Sequence, residues 1–254
     1  MNISVTNINE HEVQLQIKVD WTIVEEDYNT LLKRYAKIPV KGFRGAPPVK
    51  MVVSLYKKQL CNDLAAACSE KWCRKALQSE QLVAGSPVSI TDMVYEPEKE
   101  FGFGAQFLKM PDFELPDYHH LNLTAETHEE KLTEISNKLL ERTVINIPEA
   151  FIEKELQYSE TENGAITGKA RSAAIDRIKL MLILKKIATN DGIETDERDV
   201  EERIQKVAEE NDMSITEVKE FLLSNGGLSR LSDLLLAENV LNYLVVSTPL
   251  SAHR

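Results

Sequence analysis

The sequence predicts an α+β N-terminal domain, built on an antiparallel sheet with helices, followed by an all-α C-terminal domain. Three observations support this fold class: residues 13–19 alternate apolar and polar side chains, residues 88–95 and 101–109 form two strand-like runs around a turn, and from about residue 127 onward apolar residues recur at helical spacing. Pro111 and Pro116 bracket a connector between the two regions. We therefore expect one domain over residues 1–115 and a second over residues 116–254.

The N-terminal domain begins with a half-buried strand. Val13, Leu15, Ile17 and Val19 lie on one face of this strand, and polar residues lie on the other. An amphipathic helix follows and ends near Tyr35. The other predicted elements are a loop over residues 38–48, helices over residues 49–60 and 62–80, and the strands over residues 88–95 and 101–109.

The C-terminal domain is predicted to be helical after one short strand at residues 121–124. The apolar residues of 175–187 indicate a buried helix, and those of 200–208 trace one face of another. Ser214 and Glu217 have the spacing of a capping box, which predicts a helix start, and two glycines at 226 and 227 predict its end. A last helix is expected over residues 228–246.

Charge is unevenly distributed along the chain. The 254 residues carry a net charge of −11, yet residues 33–75 hold eleven Lys and Arg against two acids, a local charge of +9. Such a window is typical of a surface that binds an anionic partner, although a solvated helix face gives the same pattern. The acidic total argues against a protein that coats nucleic acid along its whole surface.

Residues 41–48 form an unusual loop inside this basic window, reading Lys-Gly-Phe-Arg-Gly-Ala-Pro-Pro. Its glycines allow sharp turns and its prolines stiffen the exit, which would present Phe43 and Arg44 at a tip. Aromatic residues and arginine dominate the energetic centres of interfaces and also suit structured RNA. The alternative is a plain connector in which Phe43 folds back into the core.

This loop resembles the ribosome-docking signature of the trigger factor family, chaperones that meet nascent chains at the ribosomal tunnel exit. The family pattern is Gly-Phe-Arg followed by x-Gly-Lys-x-Pro, and residues 42–48 read Gly-Phe-Arg-Gly-Ala-Pro-Pro. Residues 144–152 resemble the Ile-Pro-x-x-Leu-Ile element that opens a helix of the family's C-terminal substrate-binding domain. The order of the surrounding strands and helices also fits, so the resemblance covers nearly the whole chain.

The resemblance implies an ATP-independent chaperone with two partners. One is the ribosome, through protein and rRNA near the tunnel exit, and the other is the nascent or unfolded polypeptide. It assigns ribosome docking to Gly42, Phe43, Arg44, Gly45, Lys41 and Pro48, with electrostatic support from Lys37 and Lys50. It implies C-terminal helical arms around a substrate cradle, with Ile178, Met181, Leu182, Phe221 and Leu235 as candidates. The sequence leaves a homodimer open.

The chain departs from the family pattern in two ways. The docking signature is one residue short and lacks its usual lysine, for which Lys41 would compensate in part. The family's middle domain, an FKBP-type prolyl isomerase of about a hundred residues, has no room between Pro116 and the first C-terminal helix. We therefore expect no isomerase activity.

Other candidate chemistry is weak. Residues 164–170 are one residue too short for a phosphate-binding loop and lack its final Ser or Thr. His119, His120 and His128 do not have the spacing of a metal site, and Cys61, Cys68 and Cys73 read as buried or half-buried thiols. We expect no catalytic residue, metal or cofactor. No run is apolar enough to span a bilayer and no secretion signal is visible, which predicts a cytoplasmic protein without a membrane partner.

Two other readings stay open. The shortened loop is compatible with a chaperone that works without the ribosome. The basic window is compatible with an adaptor that binds RNA or a protein assembly and holds no unfolded clients.

Overall fold

The computed structural model describes residues 1–40, 45, 47–96, 99–163, 168–224 and 226–247. The strands of this part of the chain are β1 (Asn2–Asn7), β2 (Glu12–Asp20), β3 (Ser89–Glu96) and β4 (Glu100–Leu108). The helices are α1 (Trp21–Tyr35), α2 (Val49–Leu55), α3 (Lys57–Ser79), α4 (His128–Arg142), α5 (Glu149–Asn163), α6 (Gly168–Asp191), α7 (Glu197–Glu210), α8 (Ile215–Ser224) and α9 (Gly227–Ser247).

The four strands form one sheet in the order β1-β2-β4-β3. β1 pairs antiparallel with β2, and β3 pairs antiparallel with β4. The side chain of Asn9 closes the first hairpin, because its Oδ1 accepts hydrogen bonds from the backbone N–H groups of His11 and Glu12 at 3.0 and 2.8 Å. The predicted antiparallel sheet with helices is confirmed.

β1 was not predicted from the sequence. It pairs along its whole length, with Ile3 opposite Ile17 and Val5 opposite Leu15, yet five of its six residues are exposed. An edge strand that buries so little lacks the apolar alternation by which strands are recognised.

The sheet and the first three helices share one core. The inward residues of β2 meet the phenylalanines of β4, and Phe101, Phe103 and Phe107 are almost completely buried. Gly104 leaves room for the side chain of Thr91 on the neighbouring strand, since a Cβ at this position would clash with Oγ1 of Thr91. A larger residue at 104 would require the Thr91 side chain to move.

The chain divides into two compact units. Unit 1 contains residues 1–107 and 203–229, and unit 2 contains residues 108–202 and 230–254. Unit 1 is thus assembled from two distant segments, and within it α8 packs against α3. The predicted division into domains 1–115 and 116–254 stays a prediction.

Most helix boundaries follow their sequence signals. The capping box at the start of α8 is confirmed, because the Glu217 backbone N–H donates to Ser214 Oγ at 3.2 Å while the Ser214 N–H donates to Glu217 Oε2 at 2.8 Å. The break between α2 and α3 lies at Tyr56, five residues before the predicted position. Tyr56 leaves helical geometry with a ψ of 21°, and its ring packs 5.1 Å from that of Tyr35.

The strand predicted at residues 121–124 is wrong. This stretch has a single bridge residue, Leu123, and its backbone groups are satisfied by side chains instead. Lys138 donates to the carbonyls of Leu121 and Asn122 at 2.9 and 2.7 Å, and Glu134 accepts from the N–H of Thr124 at 2.9 Å. A connector whose hydrogen bonds are provided in this way needs no partner strand.

Glu134 gives this anchoring a measurable pH dependence. The hydrogen bond from Lys138, together with those from the N–H groups of Ala125 and Thr124, lowers the pKa of Glu134 to about 2. A lowered carboxyl pKa contributes stability above the unfolded value of 4.5, and that contribution is lost as the pH falls toward 2. We expect Glu134→Gln to lower the free energy of unfolding at neutral pH by roughly 1–2 kcal/mol and to flatten its decline in acid.

Urea denaturation across this pH range measures the effect. Glu129→Gln is the matched control, since Glu129 lies exposed on the same helix, and it should follow the unmodified protein. If the unfolding free energies of Glu134→Gln and of the unmodified protein decline equally in acid, the pH dependence does not come from Glu134.

Unit 2 is held by an apolar core and by ion pairs that cross between its helices. Its described part after residue 127 is helical, with a core that includes Ile135, Leu139, Leu182 and Val240. Lys185 of α6 is buried and lies 2.7 Å from Asp233 of α9. Glu155 of α5 pairs with Arg177 and Arg230 at 3.1 and 2.5 Å. The Lys185–Asp233 pair is largely buried, whereas the Arg177 side chain is more than half exposed. Together the three pairs link α5, α6 and α9.

Candidate docking surface

Of the predicted docking loop at residues 41–48, the structure describes Gly45, Pro47 and Pro48. Lys41, Gly42, Phe43 and Arg44 lie outside the described residues, as does residue 46. Gly45 and Pro48 are described and both are exposed, whereas Pro47 is buried. Pro48 is the N-cap residue of α2, with a φ of −57°, so the loop leads directly into a helix start.

The edges of the loop are anchored in the core of unit 1. On the entry side Tyr35, the last residue of α1, is buried and its hydroxyl donates to Oδ2 of Asp63 in α3 at 3.0 Å. On the exit side Val52 of α2 is buried against the same core. Two fixed helix ends therefore set the position from which the loop starts and to which it returns.

The surface on both sides of the loop mixes cations with apolar groups. Lys37 and Lys50 are exposed, as are Lys33 and Arg34 in the last turn of α1. Ile38 and Val49, next to Lys37 and Lys50, leave 39% and 59% of their area in water. We call Lys37, Ile38, Pro48, Val49 and Lys50 the docking surface, because exposed apolar residues framed by like charges are typical of a binding site.

Other cations of the basic window have a different position. Lys71 and Lys75 lie over the ring of Trp72, with Nζ at 5.6 and 4.5 Å from its centroid. These cation–π contacts hold both lysines near the C-terminal half of α3. Two cations of the basic window are therefore in contact with an aromatic ring.

Asp63 makes the anchoring of the loop dependent on pH. Burial raises the pKa of the Asp63 carboxyl above 3.8, against a smaller lowering by the hydrogen bond from Tyr35. Burial likewise raises the pKa of the Tyr35 hydroxyl, and the Asp63 carboxylate adds to this. Both groups therefore favour their neutral forms in the folded protein.

We expect the stability of the protein relative to Asp63→Asn to fall as the pH rises. A raised carboxyl pKa contributes stability that is fully present below the unfolded value of 3.8 and is lost as the pH passes through the folded pKa. Asparagine does not titrate, so the difference in unfolding free energy between the two proteins should change with pH. Tyr35→Phe removes the bond that lowers the pKa, and the decline should then extend to higher pH. Urea denaturation at several pH values measures this difference. The same difference at every pH would contradict the raised pKa of Asp63.

The comparison with protein families decides the identity of the chain. A model described as "Bacterial trigger factor protein (TF)" matches residues 1–144, and one described as "Bacterial trigger factor protein (TF) C-terminus" matches residues 156–246. The chain belongs to the trigger factor family. The resemblance drawn from the loop and from residues 144–152 is thereby confirmed at the level of the family.

Curated trigger factors are similar over most of this chain. The trigger factor of Maridesulfovibrio salexigens is 26% identical over 66% of this chain and 39% of its own length. The trigger factor of Borrelia turicatae is 25% identical over 70% of this chain and 38% of its own length. The trigger factor of Clostridium botulinum strain Hall is 26% identical over 69% of this chain and 39% of its own length. The chain thus spans about two fifths of the length of these relatives.

One solved structure also resembles the whole chain. It is described by the words "Promiscuous Substrate Recognition in Folding and Assembly Activities of the Trigger Factor Chaperone", with 9% identity and a TM-score of 0.42, and it covers 97% of this chain and 99% of its own. A TM-score of this size does not establish a common arrangement of parts. The two trigger factor models that match leave residues 145–155 between them.

The candidate cradle residues of this trigger factor family member have different environments. Ile178, Leu182 and Leu235 are buried, and Met181 is partly buried against the core of unit 2. Phe221 of α8 is the exception among the five, because 61% of its area is exposed. Phe221 therefore exposes more of its area than the other four candidates. The cradle stays a prediction.

Remaining side chains of interest are occupied by structural contacts. Cys61 is half-buried while Cys68 and Cys73 are buried, which confirms the prediction of buried or half-buried thiols. Burial raises the pKa of Cys68 to about 12. Nδ1 of His120 lies 2.9 Å from Oδ2 of Asp117, and Nε2 of His128 lies 3.0 Å from Oδ1 of Asn242. Among the described residues, no group of three or more His, Cys, Asp or Glu is placed to hold a metal. None of their helices is long and apolar enough to cross a membrane.

Two further residues of interest were missed in the sequence. Ile90 and Met93 of β3 line a cleft together with Phe221. In a regular strand residues three apart point to opposite faces, but the pairing of β3 with β4 shifts its register between Thr91 and Val94. Asp92, inside the shift, has a φ of 47°. Nothing in the local sequence indicates such a bulge.

Proposed function

We propose that the protein is an ATP-independent chaperone that docks at the ribosomal tunnel exit and holds nascent or unfolded polypeptides. The match to both the N-terminal and the C-terminal trigger factor models carries this proposal. Its partners would be ribosomal protein and rRNA near the exit and the emerging chain, and its place would be the cytoplasm. Residues 1–115 would dock and residues 116–254 would form the helical arms that hold the client.

The docking surface supports the ribosomal half of this proposal. Lysines at both edges of the loop attract rRNA phosphates, while Ile38 and Val49 add apolar contact with ribosomal protein. Phe43 and Arg44 would supply the specific contacts between these edges. A binding site of this kind depends on salt, because cations displace counterions from the phosphates.

The short interval between the family matches supports a chaperone without isomerase activity. An FKBP-type domain of about a hundred residues does not fit into residues 145–155. A proline-peptide assay tests this part by itself, and acceleration of cis–trans exchange by the purified protein would disprove it.

Two measurements test the proposal as a whole. The protein should sediment with purified ribosomes through a sucrose cushion at low salt and dissociate as salt increases. In a separate assay without ribosomes or ATP, it should delay the aggregation of a refolding client. A protein that does neither is not a trigger-factor-like chaperone.

A chaperone that works without the ribosome is the second candidate, favoured by the docking signature that is one residue short. It predicts delayed aggregation with no sedimentation. An adaptor for RNA, the third reading, predicts binding to isolated RNA and no delay of aggregation.

A further inference from the structure

The C-terminal half of the chain contributes the helix α8 to unit 1. α8 packs against α3, and its Val218 is buried. Just after α8, the hydroxyl of Ser229 accepts a hydrogen bond from the backbone N–H of Val88 at 2.8 Å, which ties this segment to the start of β3. α8 therefore has a defined position next to residues that lie more than a hundred positions away in the sequence.

This position brings α8 close to the anchor of the docking loop. Glu220 of α8 and Asn62 of α3 line the same cleft. Their neighbours along the chain are Lys219 and Asp63. Asp63 accepts the hydrogen bond by which the Tyr35 hydroxyl holds the end of α1. The helix α8 and the loop anchor thus meet in one region of unit 1.

The Asp63 carboxyl is only partly satisfied by the bond from Tyr35. Its Oδ2 accepts that bond at 3.0 Å, whereas its Oδ1 is buried and has no hydrogen-bond partner among the described residues. A buried carboxyl of this kind responds strongly to nearby charges, because little water screens them.

Charged groups of α1 and α8 act on this carboxyl. Burial raises the pKa of Asp63 most strongly, and the bond from Tyr35 lowers it. Lys219 of α8 and Arg34 of α1 lower this pKa as well, whereas Glu220 of α8 raises it. Lys219 is therefore a cation from the C-terminal half of the chain that favours the carboxylate form of the anchor.

We infer that Lys219 is a positioning residue for ribosome docking, which acts by stabilising the Asp63 carboxylate and so strengthening the hydrogen bond from Tyr35. A hydrogen bond to a carboxylate is stronger than one to the neutral acid. A firmly held end of α1 reduces the entropy that the adjoining loop loses on binding. The inference rests on the proposed docking function and gives α8 a part in it without contact between α8 and the ribosome.

Ribosome sedimentation of the full chain tests this role. Lys219→Met removes the charge and keeps an aliphatic side chain. It should weaken sedimentation at pH 7 about fivefold, the usual difference between hydrogen bonds to charged and to neutral acceptors. Lys219→Arg keeps the charge and should restore binding. In an Asp63→Asn background Lys219→Met should have no further effect, because the carboxyl on which Lys219 acts is gone.

Two controls separate positioning from direct contact with the ribosome. Lys206→Met removes an exposed lysine of α7, also in unit 1, and should sediment normally. The salt dependence of Lys219→Met should equal that of the unmodified protein, because no phosphate contact is lost. Circular dichroism verifies that each variant is folded.

The titration of Asp63 gives a readout that needs no ribosome. Carbon-13 NMR of its side-chain carboxyl should show a higher midpoint pH in Lys219→Met, because loss of the cation favours the neutral acid. Lys206→Met should leave the midpoint unchanged. Sedimentation of the unmodified protein should weaken as the pH falls through the same midpoint, and that of Lys219→Met should weaken at a higher pH.

Each outcome decides a different point. If Lys219→Met sediments like the unmodified protein, the inference is overturned and the docking proposal stands. If Lys219→Met weakens sedimentation equally in the Asp63→Asn background, Lys219 does not act through Asp63, which also overturns the inference. If the unmodified protein does not sediment at all, the proposed docking has failed, and the role of Lys219 in docking fails with it.

Discussion

Replacing both Phe43 and Arg44 by alanine is expected to reduce ribosome affinity by about a hundredfold or more. Residues of these types at the centre of an interface each cost about 2 kcal/mol or more when truncated. In the sequence both lie between two helix ends, at Tyr35 and Pro48, so replacing them should leave the helices intact. Sedimentation at low salt measures the loss, and the client aggregation assay should show no change.

The lysines of the docking surface should act through charge alone. Lys37→Glu with Lys50→Glu should weaken sedimentation about tenfold and reduce its dependence on salt, since fewer phosphates are neutralised. Lys169→Glu is the matched control, an exposed lysine of α6 in unit 2, and should sediment normally. Normal sedimentation of both the Phe43/Arg44 and the lysine variants would remove the docking surface from the mechanism.

Lys185→Ala is expected to destabilise the protein by about 3–5 kcal/mol, the largest effect on folding. Lys185 is 7% exposed and its partner Asp233 lies at 2.7 Å, so the substitution leaves a carboxylate buried without its cation. Urea denaturation followed by circular dichroism measures the change. The double variant Lys185→Met with Asp233→Leu should recover most of the lost stability, because it removes both charges.

An exposed pair provides the contrast. Lys206 and Glu210 lie 3.9 Å apart on the surface of α7, and Lys206→Ala should cost less than about 0.5 kcal/mol. If Lys185→Ala costs no more than Lys206→Ala, the buried pair does not hold α6 to α9.

Local sequence patterns predicted the strands and helices whose apolar residues lie on one face or whose ends carry a capping signal. β2 alternates and α8 carries its capping box, so both follow from neighbouring residues. β1 was not predicted because an edge strand buries few side chains. The strand predicted at residues 121–124 was wrong because Lys138 and Glu134, ten or more positions away, supply its hydrogen bonds. Long-range partners of this kind leave no local trace.

The sequence likewise predicted one part of the candidate functional residues and not another. The exposed lysines at 37 and 50 follow from composition and from the loop that they flank. The cleft could not be predicted, since it needs a bulge in β3 and the contact of α8 with α3, two helices separated by more than a hundred residues. The apolar residues of 175–187 indicated a buried helix, but α6 is apolar on more than one side, so the sequence did not show that Ile178 and Leu182 lie in the core and not in a cradle.

The composition of unit 1 from residues 1–107 and 203–229 has a consequence for the order of synthesis. A ribosome makes the sheet and α3 early, but α8, which also packs against α3, leaves the tunnel only after residues 1–214 have been translated. Until then one face of α3 has no native cover, and its closure over a long separation is slow compared with the folding of neighbouring helices. During its own synthesis this protein is therefore an incompletely folded nascent chain for much of the time, the kind of molecule that we propose it protects.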